Sequence, residues 1–330
     1  MRKLASIQRI KSLEPIAGAD SIEMAIVLGW QLVVKKGEFQ VNDLCVYFEI
    51  DSILPDRPEF EFLRPRSFRI KTIKLRGQIS QGICFPLSIL PQEISFEEGK
   101  DLTELLDVKQ YEPPIPFYLA GKKKGPFPDF IPKTDEPRAQ VITDILGQHS
   151  GEKCYITEKL DGSSITIFRK DGIFGVCSRN LELEEDTENS LWKLARELDV
   201  ENKLKLLNGN FALQGEAVGK SIQKNTLNLK GHAIYFFNIY DIDKQSYLDF
   251  REFRETILRM GLETVPIIKE EYILDADMKS LVELSIGKSL INKEGWREGI
   301  VIRPITEKKL EGERFSFKVI NPNFLLKYDD

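Results

Sequence analysis

The stretch CYITEKLDGSS, residues 154–164, places a lysine after an apolar run and before a turn. The apolar residues predict a strand, and Asp161 with Gly162 predict the turn that follows it. Lys159 therefore stands at a strand end, between Glu158 and Asp161. A lysine at a strand end is commonly only a solvated side chain. Whether Lys159 has a function therefore has to be judged from the rest of the chain.

The composition limits the classes of protein to consider. The chain has 330 residues, of which 42% are hydrophobic and 30% charged, and this length allows two domains with separate cores. No apolar run approaches the roughly 20 residues of a spanning helix, and no signal segment is evident. We therefore expect a cytoplasmic protein that contacts no membrane.

The histidines and cysteines limit the kinds of site to consider. The chain has only 2 histidines, which are too few for a histidine-based metal centre. Buried free thiols, and no disulfide framework, are predicted at the widely spaced Cys45, Cys84, Cys154 and Cys177.

The domain organisation follows from a proline-rich segment between Tyr111 and Pro137. Prolines at this density favour an extended connection and oppose helices and central strands. We predict a first domain over residues 1–110, a proline-rich linker over residues 111–136 and a second domain over residues 137–330. Short β-type runs in the first domain predict a small OB-like barrel, a fold that often binds oligonucleotides. These runs are Leu4–Ile10, Met24–Leu28, Gln31–Val34, Leu44–Ile50, Phe68–Leu75 and Gly82–Leu87.

The second domain mixes helical periodicity with apolar runs that are typical of buried strands. One helix is predicted over Pro137–Leu146, another with its cap at Asp186 or Thr187, and a third from Asp249 to a stop at Gly261. The pattern indicates an α+β domain with mainly antiparallel sheets. Charged residues lie in or beside its strands, at Lys159, Arg179, Glu216, Glu298 and Lys318. Because a buried charge costs several kcal/mol unless it is paired, these charges form either an ion-pair network or a site for a polyanionic ligand with a metal ion. Five such charges in separate strands favour the ligand site.

Six motifs in order along the second domain carry a family resemblance: EKLDG, SRN, LQGEAVG followed by IQKN, FFNIYDI, EGIVIRP and FSFKVIN. They resemble the collinear motifs of the covalent nucleotidyltransferases, which are the ATP-dependent DNA and RNA ligases and the capping guanylyltransferases. The match is closest to nick-sealing RNA ligases with an N-terminal OB domain. The resemblance implies an OB-like β-barrel followed by an α+β nucleotidyltransferase domain with antiparallel sheets, an ATP-grasp-like ligase fold.

The resemblance also implies roles for individual residues. Lys159 would be the nucleophile that forms a lysyl-AMP intermediate, which requires its pKa to fall from about 10.4. Tyr240 would stack on the adenine, with Phe236 as the alternative, since strand alternation puts Phe236 and Asn238 on one face. Contacts to ATP or AMP would come from Glu158, Lys159, Arg179, Glu216, Tyr240 and Lys318. A Mg²⁺ or Mn²⁺ ion would be held, through its waters, by Asp161, Glu216 and Glu298.

The expected partner is a nicked duplex with RNA at the 3′-OH side. Only residues 319–330 follow Lys318, which leaves no room for the OB domain that DNA ligases and capping enzymes append there. The resemblance implies no protein partner, and we expect a monomer.

The sequence departs from the family motifs at two places. Ile320 replaces the second lysine of the last motif, and LDG replaces the L/I-H-G of some RNA ligases. The alternatives are an ATP-dependent DNA ligase, a capping guanylyltransferase, or a non-catalytic nucleic-acid-binding protein on a decayed ligase fold.

Overall fold

The structure is a computed structural model that describes residues 2–91, 94–112, 121–310 and 312–329. The chain divides into two compact units. Unit 1 comprises Met1–Pro114 and Leu325–Asp330, and unit 2 comprises Ile115–Phe324. The last residues of the chain, which we placed in the second domain, thus group with unit 1.

Unit 1 is a small antiparallel β structure. Its strands are β1 (Ala5–Pro15), β2 (Ile22–Val27), β3 (Trp30–Lys35), β4 (Leu44–Phe48), β5 (Ser52–Ile53), β6 (Ile73–Leu75), β7 (Gln78–Ser80), β8 (Ile83–Pro86) and β9 (Lys109–Gln110). The main sheet has the order β3-β2-β1-β4-β8, while β5 pairs with β9 and β6 with β7. Every pairing in these sheets is antiparallel.

The core of unit 1 explains why these segments form strands. On β3, the buried Trp30, Leu32 and Val34 alternate with the half-exposed Gln31 and Val33, which is the period-2 pattern of a strand with one face inward. The core also contains aromatic rings in edge-to-face contact, at Phe48, Phe60 and Phe85. This contact favours a single packing arrangement beyond simple burial.

One predicted strand of unit 1 is largely wrong. Of the predicted run Phe68–Leu75, only Ile73–Leu75 is a strand. A 3-10 helix over Pro58–Arg66 precedes it and ends at Ser67, whose φ is 50°, and Phe68 follows with φ of 59°. These left-handed residues are incompatible with an extended strand, so the apolar pattern alone misled the prediction.

Unit 2 is built on two antiparallel sheets. Its strands are β10 (Lys123–Pro126), β11 (Lys153–Lys159), β12 (Ser163–Lys170), β13 (Ile173–Cys177), β14 (Leu181–Leu183), β15 (Phe211–Gly219), β16 (His232–Asp241), β17 (Ser246–Tyr247), β18 (Ile267–Ile273), β19 (Gly299–Pro304), β20 (Lys309–Leu310), β21 (Glu313–Arg314) and β22 (Phe317–Ile320). A seven-stranded sheet has the order β10-β14-β13-β12-β15-β16-β17, and a four-stranded sheet has the order β18-β11-β19-β22. The small pair β20 and β21 stands apart from both.

The proline-rich segment contributes directly to unit 2. Its prolines Pro113, Pro114 and Pro116 lie outside the described residues. Further along, β10 pairs with β14 at the edge of the seven-stranded sheet. An edge strand tolerates Pro126 because one side of the strand needs no ladder hydrogen bonds.

The helices of the described chain are α1 (Thr143–Gln148), α2 (Ser190–Glu197), α3 (Val200–Lys205), α4 (Phe250–Arg259), α5 (Met278–Ser285) and α6 (Pro322–Tyr328). The predicted helix from Asp249 is confirmed as α4. The predicted cap of α2 at Asp186 or Thr187 is wrong, because Asn189 accepts from the amides of Leu191 and Trp192. The first predicted helix starts late, as a 3-10 turn over Ala139–Val141 followed by α1. No described helix has the length and apolar character to cross a membrane.

Candidate active site

Lys159 ends β11 and lies opposite Gly299, the first residue of β19. Its Nζ donates a hydrogen bond to Glu298 Oε1 at 2.6 Å, and the two side chains are 25% and 16% exposed. A Cβ on Gly299 would lie 2.3 Å from the carbonyl oxygen of Val319. Only glycine therefore lets β19 pass so close to β22 while Glu298 reaches the lysine.

The pKa of Lys159 is raised above its ordinary value. Burial lowers this pKa, but the carboxylates of Glu298, Glu216 and Asp161 outweigh burial and favour the charged amine. A nucleophilic lysine has to lose its proton, so the required fall in pKa is absent from the protein alone. A bound cation would oppose the carboxylates and favour the neutral amine.

The three predicted metal-binding carboxylates are coupled through their charges. Burial, with the charges of Glu298 and Asp161, raises the pKa of Glu216 to about 8, while Lys159 and Arg179 oppose the rise. Burial and Glu298 raise the pKa of Asp161 to about 6, and a hydrogen bond from Thr226 Oγ1 at 3.1 Å opposes it. These raised pKa values indicate a concentration of negative charge that a cation would relieve.

The carboxylates fit a divalent cation that keeps its water molecules. In the described residues, no three His, Cys, Asp or Glu side chains lie close enough to hold a metal ion directly. Glu298 Oε1 is engaged by Lys159, but its buried Oε2 has no hydrogen-bond partner within the described ranges. Asp161, Glu216 and Glu298 thus offer oxygen acceptors suited to a hydrated Mg²⁺ or Mn²⁺ ion.

Lys318 lies on β22 opposite Val301 of β19. Because Val301 also pairs with Thr157, two residues before Lys159, Lys318 projects from the same face of the sheet as Lys159. Burial, together with the positive charges of Lys159 and Arg138, lowers the pKa of Lys318 to about 8. Lys318 is thus a cation held close to other cations.

Arg138 is the cation that sequence reasoning missed. Its backbone forms an isolated bridge with Lys318, and its charge acts on that lysine. Ile320 lies opposite Gly299, where the second lysine of the family motif would stand. Of three other lysines near this end of the chain, Lys308 pairs with Glu152 at 2.6 Å, Lys309 donates to the Gln245 carbonyl, and Lys327 lies in helix α6. Arg138 occupies the segment IPKTDEPRAQ, and its separation from Lys318 along the chain hid the contact.

Arg179 follows β13 and is more exposed than Lys159 or Glu298. Its Nη2 donates to Asp135 Oδ1 at 2.8 Å, and its side chain is 47% exposed. Its charge nevertheless lowers the pKa of Glu216. Arg179 is therefore at the edge of the charged cluster, where a ligand phosphate can compete with Asp135.

The Glu158 carboxylate is not brought together with the cluster. Neighbouring residues on a strand point to opposite faces, so Glu158 projects away from Lys159. Its Oε2 accepts from the backbone amide of Leu290 at 2.7 Å, and the side chain is buried. Burial raises its pKa. The geometry gives this carboxylate a structural contact, and the Glu158 amide donates to the Pro266 carbonyl at 2.8 Å.

Comparison with known proteins identifies the arrangement. A family model described as RNA ligase matches residues 152–320, about half of the chain, and an OB-fold domain model matches residues 4–87. The chain belongs to the RNA ligase family. The predicted OB-like domain and the antiparallel ligase domain are confirmed, and so is the predicted enzyme class.

Solved structures of the RNA ligase from Naegleria gruberi resemble this protein over its full length. The Naegleria gruberi RNA ligase with PPi is 41% identical, with a TM-score of 0.92 and 100% of both chains covered. A mutant of that enzyme with ATP and Mn is 40% identical, with a TM-score of 0.92 and 99% of each chain covered. Another mutant, with AMP and Mn, is 40% identical at a TM-score of 0.92, covering 100% of both chains. No match was found among curated protein sequences.

The two aromatic residues considered for the adenine, Tyr240 and Phe236, both lie in the core of unit 2. Tyr240 is buried, makes an edge contact with Tyr247 at 5.0 Å and belongs to a core cluster with Phe168 and Ala212. Phe236 is fully buried in the main core of unit 2. Tyr240 pairs with Ala212 and Phe236 with Gly215, so the two rings lie on opposite faces of the seven-stranded sheet.

A β-bulge in the pairing of β15 with β16 explains why side chains along β16 do not alternate regularly between the two faces. Phe236 pairs with Gly215 and Asn238 with Gln214, so these two residues of β16 face opposite sides, and the prediction that they share a face is wrong. The extra residue, Phe237, is half-buried in a cluster with Leu160, next to the lysine. The guanidinium of Arg303 lies 5.6 Å from the centre of its ring. The sequence FFN carries no signal that selects Phe237.

Proposed function

We propose that the protein is an ATP-dependent RNA ligase that seals 3′-OH/5′-phosphate nicks through a lysyl-AMP intermediate on Lys159. The observation that carries the proposal is the half-buried Lys159–Glu298 pair at 2.6 Å, set among further charges in an RNA ligase fold. Relatives of the same fold bind ATP, AMP, PPi and Mn, which is the set of ligands that such a reaction uses and releases.

In the first step the Lys159 Nζ attacks the α-phosphorus of ATP. A phosphoramidate N–P bond forms, the bond to the β-phosphate oxygen breaks, and pyrophosphate leaves. Glu298 Oε1, already 2.6 Å from Nζ, is placed to accept the proton of the attacking amine. Lys318 and Arg138 face the increasing negative charge on the phosphate.

In the second step the 5′-phosphate of the RNA attacks the lysyl-AMP and takes the adenylate, which frees Lys159. The 3′-OH then attacks that activated phosphate, the phosphodiester forms and AMP leaves. Arg179, which is exposed beside Asp135, is suited to hold a phosphate bidentately. Glu216 accepts from the ribose hydroxyls.

Asp161, Glu216 and Glu298 would hold the divalent cation through its waters. When bound, the cation supplies positive charge that stabilises the phosphate oxygens and favours a neutral Lys159. Thr226 keeps the Asp161 carboxylate in place through its hydroxyl, at 3.1 Å.

For the adenine we propose Phe237 in place of Tyr240. Phe237 is half-buried, and it lies near Arg303, which shares with Lys159 one face of its sheet because Arg303 pairs with Tyr155. An aromatic face beside that lysine suits a purine ring. Tyr240 would support the sheet behind it.

The substrate we propose is a nicked duplex with RNA at the 3′-OH side, bound in part by unit 1. The OB-fold match over residues 4–87 supports this role, because such domains commonly carry oligonucleotides. The predicted domain boundaries, 1–110, 111–136 and 137–330, remain our proposal for the limits of these functions.

The central test is covalent labelling. The protein is incubated with α-labelled ATP and Mg²⁺ or Mn²⁺, denatured and separated by electrophoresis. Label should stay on the wild type and be absent from Lys159→Ala, while Lys153→Ala, at the exposed start of β11, should label normally. Label on Lys159→Ala, or none on the wild type, would refute the mechanism.

The rival functions are separated by substrate. Labelling from GTP in preference to ATP would indicate a capping enzyme. Sealing of an all-DNA nick as fast as a nick with RNA at the 3′-OH would indicate a DNA ligase. Binding of nicked duplex with no labelling from either nucleotide would indicate a non-catalytic protein.

A further inference from the structure

The connection between β4 and β8 carries an uninterrupted run of positive charge. Residues 62–92 contain no aspartate or glutamate, although the whole chain has a net charge of -5. The run holds the cations Arg64, Arg66, Arg69, Lys71, Lys74 and Arg76. A local excess of this kind can bind a polyanion even when the average charge of the protein is negative.

Part of this charge is neutralised within unit 1. Arg64 pairs with Asp56 at 2.6 Å and with Glu61 at 2.7 Å. The buried Arg69 is held between two carboxylates, Asp51 at 2.9 Å and Asp329 at 2.5 Å.

Lys71 is also engaged, because its Nζ donates to the backbone carbonyl of Asp329 at 3.2 Å. Arg66 is exposed at the end of the 3-10 helix. Arg64, Arg69 and Lys71 thus contribute to the structure of unit 1 and are poorly placed to bind a partner.

The remaining charge is concentrated at the tip of the hairpin formed by β6 and β7. Lys74 and Arg76 are exposed, and the side chain of neither makes a hydrogen bond or ion pair with any residue that the structure describes. Leu75 between them is 39% exposed. Arg76 and Gly77 take left-handed φ values of 48° and 85°, and a Cβ on Gly77 would meet nothing within 4 Å. The tip is therefore open to solvent on a tight two-residue turn.

The hairpin is anchored at its base to the edge strand β3. The Val33 amide donates to Ser80 Oγ at 3.0 Å, the Gln81 amide donates to the Gln31 carbonyl at 2.8 Å, and Gln78 Nε2 donates to Gln31 Oε1 at 3.3 Å. A tip with a fixed base loses little conformational entropy when it binds a ligand. The unpaired charges are thus presented in a defined place.

We propose that this hairpin tip, through Lys74 and Arg76, binds the sugar-phosphate backbone of the RNA substrate. This inference rests on the proposed function. Two cations without counter-charges complement a polyanion, and the exposed Leu75 can cover a ribose or a base. Phosphate contacts of this kind position a nucleic acid without reading its sequence.

The test is the pair of substitutions Lys74→Gln and Arg76→Asn, made together. Asparagine suits the left-handed position, so the turn is kept. The matched control is Lys35→Gln with Lys36→Gln, which removes the same charge from another exposed segment of unit 1. Binding of a nicked duplex with RNA at the 3′-OH side is measured as a function of salt, together with thermal unfolding and covalent labelling by ATP.

The hairpin variant should bind the nicked duplex roughly tenfold more weakly at low salt, and the slope of log affinity against log salt should fall by about 0.7 to 0.9 for each lost contact. The control should keep the wild-type slope, and labelling of Lys159 by ATP should be unchanged in both. Wild-type affinity and slope in the hairpin variant, or an equal loss in the control, would overturn the inference. Failure of the wild type to label or seal would instead overturn the proposed function.

Discussion

At the scale of single residues, the two lysines of the site have pKa values shifted in opposite directions. The pKa of Lys159 is raised because carboxylates, above all Glu298, outweigh the effect of burial. The pKa of Lys318 is lowered to about 8 by burial and by the charges of Lys159 and Arg138. The ion pair thus stabilises the charge of Lys159, whereas the fold bears a cost for the charge of Lys318.

We expect Lys318→Met to stabilise the protein at neutral pH while abolishing labelling by ATP. The folded-state pKa of about 8 lies below the ordinary value of 10.5, so the cost of the charged lysine is fully present below pH 8. It disappears as the pH rises from 8 to 10.5. Because Lys318 is partly exposed, the gain should be about 1–3 kcal/mol at pH 7.

Urea unfolding of wild type and Lys318→Met at pH 7 and pH 9.5 measures this effect. The free energy of unfolding should differ more at pH 7 than at pH 9.5. A gain of equal size at both values would show that the methionine acts through packing, and the assigned charge penalty would be wrong.

At the scale of elements, the bulge in the pairing of β15 with β16 decides which face of the sheet each aromatic residue of β16 occupies. A regular strand would have kept Phe236 and Asn238 on one face. The bulge inserts Phe237 between them and turns Phe236 into the core. The face that Phe236 occupies thus depends on one extra residue in β16.

We expect Phe237→Leu to weaken the binding of ATP by roughly 2- to 10-fold, because an aromatic contact contributes about 0.5–1.5 kcal/mol. The KM for ATP in the labelling reaction should rise while the thermal unfolding temperature changes little. Tyr240→Leu is the matched comparison. It should lower stability by about 1–3 kcal/mol, since Tyr240 packs in the core with Phe168 and Ala212. A rise in KM for Tyr240→Leu alone would restore Tyr240 as the stacking residue.

At the scale of the whole molecule, residues from both ends of the chain meet in unit 1. Arg69 contacts Asp51 and Asp329, and its guanidinium lies 3.6 Å from the centre of the Tyr111 ring. The residues Leu325–Asp330 are thus part of unit 1, although residues 115–324 separate them from the rest of it along the chain.

We expect Asp329→Asn to lower the free energy of unfolding by about 1–2 kcal/mol, because the buried Arg69 loses one of its two carboxylate partners. Asp107→Asn is the control, since the pair of Asp107 with Lys109 is wide at 3.8 Å and exposed. That change should cost less than about 0.5 kcal/mol. Similar losses in the two variants, measured by urea unfolding, would remove the proposed role of Asp329.

Much of the fold and of the candidate site could be predicted from local pattern. The apolar run before Lys159 identified β11, and the glycine after Glu298 marked the start of β19. The order of the motifs then indicated that Glu216 and Lys318 belong to the same site. Strand period and turn residues are properties of short segments, and motif order is a property of the linear chain. All three can therefore be recognised without the fold.

The sequence by itself determined the two-part architecture, the enzyme family and the cluster around Lys159. Tertiary structure alone decided that a bulge turns Phe236 into the core, that Arg138 accompanies Lys318, and that Asp329 neutralises Arg69. It also decided which cations of residues 62–92 stay unpaired. Local pattern fixes the face and extent of an element, but a bulge register and an ion pair between distant residues depend on which backbones meet across space.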